Sequence, residues 1–283
     1  MSVSNRKISR AVYIAFACTL ANAVRAHDTW LIPDPQTATA VSSTHREIAL
    51  LLTTGAEFPA LGTTTSPERL QRANLISNEA SVPLLVGKST ETTLGLRGLT
   101  VASSVVMAVV QLKPKTIELA PDVVQLYLKE LGGSLSISRR YQALGHWRES
   151  YSKNAKMWIR VGADAAPASM FKPINVPYEL VPSSDPTRLK AGSKLEVCAY
   201  ASGKPVAKAY LGMVAADGTK TMLWASAKGC ANFTMRITSG FLMHGILITE
   251  SELPELDWES HFASFTVLDA TPKATSTASN STL

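Results

Sequence analysis

Short apolar runs, each stopped by glycine, proline or an acidic turn, recur along most of the chain. EIALLLTTG (47–55) halts at Gly55, and the valine-rich SSVVMAVVQL (103–112) is almost continuous until Lys113-Pro114. KMWIRVG (156–162) alternates, with Met157, Ile159 and Val161 on one face. KLEVCAYASG, PVAKAYLGMVAADG, ANFTMRI, FLMHGILIT and HFASFTVL complete the series. Runs of this length and period predict strands. Asp217-Gly218 predicts a tight hairpin between AYLGMVAA and KTMLWAS.

Helical periodicity is rarer. In APDVVQLYLKELGG, Val124, Tyr127, Leu128 and Leu131 recur at three- and four-residue intervals, Pro121 suits the first turn, and Gly132-Gly133 suits the stop. This predicts a helix over 121–131. HWRESYSKNA (146–155) carries charge all round and reads as a second, poorer helix.

The fold class expected is mainly β, with two β-sandwich-like domains, the second immunoglobulin-like, and one or two short helices in the first. GADAAPASMFKPINVP (162–177) is rich in small residues and lacks periodicity, so the boundary is expected near residue 170. The domains then run over 27–165 and 172–270. The Ser/Thr-rich end, 271–283, has too little apolar surface to order itself and reads as a disordered tail.

Charge changes the picture at the other end. Arg6, Lys7 and Arg10 precede the apolar stretch AVYIAFACTLANAV (11–24), and Val24 and Ala26 are small residues at cleavage-site spacing. Residues 1–26 therefore read as a secretory signal peptide. Four of the 28 basic residues lie there, so 24 bases face 22 acids beyond it, and the formal charge of +6 falls to +2. No basic patch interleaved with aromatics remains, and nucleic acid is not an expected partner. Of three cysteines, Cys18 lies in the signal; Cys198 and Cys230 form an even pair in an exported chain, and a disulfide between them is expected.

The chain lacks G-x-S-x-G, a Walker loop, H-E-x-x-H and C-x-x-C, and nothing ties Ser, His and Asp into a triad, so no enzyme activity is expected. Five histidines remain: His27, His45, His146, His244 and His261. Cleavage after Ala26 would make His27 the first residue. Its α-amine and imidazole together suit nickel, cobalt, copper or zinc. The following apolar residues Trp30, Leu31 and Ile32 are expected to tie this end into a core. His244 interrupts the apolar strand FLMHGILI, where an ionisable group needs a partner. Asp28 and His261 are weaker candidates to close a metal site with them. His45 and His146 lie in polar stretches and read as surface residues.

Several stretches, in order, resemble a bacterial family of periplasmic components of nickel/cobalt uptake systems. AHDTWLIP resembles the family's mature start; TTGAEFPA its Gly-Glu-x-Phe-Pro stretch; ESYSKNAKMWIRVG the segment leading into a strand. PYELVPSSDPTRLKAGSKLEV resembles the join to its second domain, GKPVAKAYL its Gly-x-Pro-Leu stretch, and DWESHFASFTV its closing Asp-Trp-Glu-Ser signature, although Tyr or Trp is commoner there than His261-Phe262. The resemblance implies export, a mostly β fold and handling of a divalent transition metal, with His27 and His244 carried over as ligands. The expected function is periplasmic binding of nickel or cobalt and delivery to a membrane transporter. Two other readings stay open: a copper-brace oxidative enzyme acting on polysaccharide, since that chemistry also uses a mature N-terminal histidine, and a metal-free structural or adhesive sandwich.

Overall fold

A computed structural model of the protein describes residues 27–35, 45–78, 80–101, 105–236 and 240–268. The expected signal peptide (1–26) and tail (271–283) lie outside the described residues. In chain order the first strands are β1 (Asp28–Pro33), β2 (His45–Gly55), β3 (Leu70–Ile76), β4 (Ser81–Pro83), β5 (Leu85–Ser89), β6 (Leu94–Val101) and β7 (Val105–Glu118). Helices α1 (Pro121–Glu130) and α2 (Leu135–Leu144) follow. After them come β8 (Arg148–Arg160), β9 (Glu179–Pro182), β10 (Lys194–Ala201), β11 (Lys204–Pro205) and β12 (Tyr210–Ala215). The last are β13 (Lys220–Trp224), β14 (Cys230–Thr234), β15 (Gly240–Glu250) and β16 (Trp258–Leu268). The protein is mainly β.

An eight-stranded sheet, ordered β13-β12-β15-β16-β8-β7-β3-β4, forms the middle layer. One face is covered by the sheet β1-β2-β6-β5, the other by β9, β10, β11 and β14. Alternation along β7 shows how one strand serves both layers. Val106, Ala108 and Val110 pack with Leu31, Leu50, Leu52 and Leu96 of the first outer sheet. Val105, Met107 and Val109 pack with Leu180, Leu195, Val197 and Phe233 of the second. A strand covered on both faces has no water-facing side, which is why SSVVMAVVQL is apolar without alternation.

The two sandwiches thus share their middle sheet. Between residues 162 and 177 the chain passes from β8 of the middle sheet to β9 of the second outer sheet. The sheet nevertheless continues across that crossing: β16 pairs parallel with β8, from Trp258 opposite Glu149 to Val267 opposite Trp158.

The Asp217-Gly218 hairpin joins β12 to β13 as expected, with Gly218 at φ 85°. Helix α1 matches its sequence pattern, burying Val124, Tyr127 and Leu128 against Trp147, Trp258 and Phe262. The segment 146–155 is not a helix. From Arg148 onward it is the start of β8, and Glu149 and Lys153 sit buried between layers rather than in water. The second helix is instead α2, which has no fully buried residue and rests Ile137 and Tyr141 against the α1 cluster.

Cys198 and Cys230 form a disulfide, as expected. They do not bridge two facing sheets. They lie directly opposite each other on the adjacent strands β10 and β14, with Cα atoms 4.0 Å apart.

Candidate functional site

Strand β1 lies across the middle sheet, held by its apolar residues. Trp30 is 1% exposed and stacks edge-on against Phe58, with ring centroids 5.9 Å apart, beside Val214 and Leu242. Burying an indole removes about 150–250 Å² from water. At about 25 cal/mol per Å² the gain is several kcal/mol as an upper bound. On the neighbouring positions, Leu31 enters the core below, and the backbone carbonyls of Thr29 and Leu31 accept from the hydroxyls of Ser264 and Thr266 on β16. The start of the strand is therefore fixed, and with it Asp28.

Asp28 points the same way as Trp30. Its Oδ2 lies 3.2 Å from Nδ1 of His244 on β15. The pair is about one-fifth exposed on each side and lines a cleft of about 300 Å³ with Trp30, Phe58, Lys129, Tyr210 and Lys220. The other edge of the His244 ring rests on Gly212 of β12, the residue opposite it in the ladder; a Cβ there would stand 2.0 Å from Nε2. Gly212 thus makes room for the ring and leaves Nδ1 as the nitrogen that faces Asp28.

His27 and His261 lie elsewhere. His27, one residue before β1, lines a separate cavity with Tyr127, Glu149, Tyr151, Lys153 and Phe262. Its carbonyl accepts a 2.5 Å hydrogen bond from Lys153 Nζ. His261 is on the opposite face of the middle sheet from His244. It pairs in register with Leu247, which packs on the same side as Ala263 and Phe265, whereas His244 pairs with Ser264, which faces β1. His261 therefore cannot complete a site with His244 and Asp28. Its Nδ1 is 2.6 Å from Ser152 Oγ, and burial lowers its pKa, with Glu259 opposing. His146 is exposed and bonds Asp257 at 2.9 Å. His45 opens β2.

The one group of three metal-ligand-type side chains whose donor atoms all fall within 4.8 Å, among the described residues, is Glu196, Cys198 and Cys230. Its sulfurs are bonded to each other, so it is a structural link rather than a metal site.

Three residues near the site were not singled out in the sequence. Glu149, Lys153 and Gly212 all lie in strand interiors. Burial raises the Glu149 pKa, opposed by hydrogen bonds from Ser260, Trp147 (2.7 Å) and Tyr127 (3.2 Å). Burial pushes the Lys153 ammonium down to about 8, so it is still cationic at neutral pH. The sequence signal available for Gly212 was its isolation inside a strand pattern, which marks a close approach by another group.

A three-layer β protein with its first strand anchored by tryptophan and an Asp–His pair in the cleft beside it is the class defined by this geometry. Residues 24–239 match the model of a family described as Domain of unknown function (DUF4198), and the chain belongs to that family. The match includes His27 and Asp28 and ends before β15, which carries His244. No curated protein matches the chain.

Proposed function

We propose that the protein binds a divalent transition metal, nickel or cobalt, in the periplasm and delivers it to a membrane uptake system, acting as a carrier and not as an enzyme. The observation that carries this reading is the contact between Asp28 and His244 in an open cleft. Carboxylate oxygen and imidazole nitrogen are donors that suit borderline divalent ions. Cleavage after Ala26 would add the α-amine and imidazole of His27, one residue from Asp28. Because His27 precedes the β1 ladder, its side chain is not bound to the strand's alternation. The donor set proposed is thus Asp28, His244 and His27, without His261.

The resemblance to nickel/cobalt uptake components supports the choice of metal, and the disulfide agrees with an exported protein. Calorimetric titration of the exported protein with Ni²⁺ and Co²⁺ tests the reading. His244→Ala should weaken binding at least tenfold while His146→Ala leaves it unchanged. Equal binding by both variants, or no binding by a protein whose N-terminus is shown by sequencing to be His27, would sink it.

A further inference from the structure

Strand β8 buries two lysines three residues apart, and they are treated differently. Lys156 is paired with Glu179 and reaches the Leu180 carbonyl, so its charge is matched within the fold. Lys153 is equally enclosed, at 8% exposure, yet the ion pairs among the described residues do not include it. Of its three N–H donors, one goes to the His27 carbonyl. Two ring faces flank the ammonium, with Nζ 5.7 Å from the Tyr151 centroid and 5.4 Å from that of Phe262, and Arg69, Asp28 and Glu149 lie near enough to act on its charge. The two nearby carboxylates are engaged by others, Glu149 by Tyr127, Trp147 and Ser260, and Asp28 by His244.

The ammonium lines a cavity of about 150 Å³ whose other walls are mostly apolar, Ile117, Leu119, Val123 and Phe262 among them, with His27, Thr54, Tyr127, Tyr151 and Glu149 as the polar members. A cavity of this size accepts a body about as large as benzene. The Glu149 carboxylate also lines the cavity, but its oxygens are taken up by Tyr127, Trp147 and Ser260, which leaves the Lys153 ammonium as the donor facing mostly apolar walls. Such a lining favours a singly charged anion with a compact apolar body over phosphate or sulfate, whose charge would face hydrocarbon. We propose that this cavity binds a small organic monocarboxylate, one oxygen accepting from Lys153 and the apolar body lying among Ile117, Leu119, Val123 and Phe262. Binding there requires no metal, although His27, which lines this cavity, also belongs to the donor set proposed above.

Titration of the purified protein with benzoate and isovalerate, in buffer stripped of metal over a chelating resin, tests the proposal. At least one should saturate, and the corresponding amide should bind about tenfold or more weakly, since it forfeits a charge-assisted hydrogen bond. Lys153→Met, which keeps the side-chain volume, should lose about the same factor. Val123→Trp, which fills the cavity from α1, should abolish binding, and thermal unfolding shows whether each variant is folded. No saturation by either acid, equal affinity for acid and amide, unchanged binding by Lys153→Met, or binding seen only when metal is added would each overturn it.

Discussion

Replacing Gly212 by alanine should act through His244 alone. Gly212 has no left-handed φ, so the backbone accepts any residue and the effect is steric. The added Cβ would stand 2.0 Å from Nε2, 2.5 Å from Cδ2 and 2.7 Å from Cε1 of the His244 ring. Carbon contacts are comfortable only at about 3.5–4.0 Å, so the ring must move by more than an ångström and lose its seat beside Asp28. Overpacking of this kind costs about 1–3 kcal/mol. Alanine returns about 0.4–1 kcal/mol by restricting the unfolded chain. The net loss expected is about 1–2 kcal/mol, which for a chain of this length lowers Tm by about 2–8 °C. Urea denaturation measures it. The decisive comparison is with His244→Ala: in that background the three closest contacts of the added methyl are gone, so Gly212→Ala should cost far less and the double-mutant cycle should show strong coupling. Wild-type stability for Gly212→Ala, or the same loss with and without His244, would refute the argument.

Two further outcomes follow from buried charge. Glu179→Ala leaves the Lys156 ammonium without a partner between layers and should cost about 3–5 kcal/mol in urea denaturation, whereas Lys156→Met with Glu179→Leu should cost far less. His261 has its pKa lowered by burial, so below about pH 6.5 the unfolded chain binds the proton more readily than the fold does. Stability should therefore fall as pH drops from about 7 to about 5, and His261→Gln should flatten that slope; an unchanged pH profile of the urea midpoint in the variant would show that another group is responsible.

Local pattern revealed the long apolar strands, but the region holding β3 to β6 passed unread even though Leu94 and Leu96 of β6 alternate into the core. Val105 to Leu112 and the alternation of Met157, Ile159 and Val161 were legible, and so was the anchoring of Trp30. Local pattern also failed on the start of β8. Glu149 and Lys153 look like part of a solvated helix because their partners, Tyr127, Ser260 and the His27 carbonyl, lie far away in the sequence or on the other side of a turn. Long-range satisfaction of buried charge leaves no local trace. The histidines divide along the same line. That His244 needed a partner followed from its apolar setting, and the partner proved to be Asp28. That His261 faces the other way depends on the register between β15 and β16, where a shift of one residue exchanges the faces.

The parallel seam between β8 and β16 fixes an order of events during synthesis. Ten residues of β8, Glu149 to Trp158, wait for a partner that is made last, Trp258 to Val267. Until then a fold grown from the N-terminus ends in an open sheet edge that could recruit the same edge of another chain. Lysine on an edge strand is a common guard against such pairing, and Lys153 and Lys156 lie within that stretch. The two ammonium groups that are buried in the finished core would, in a half-made chain, lie on that open edge.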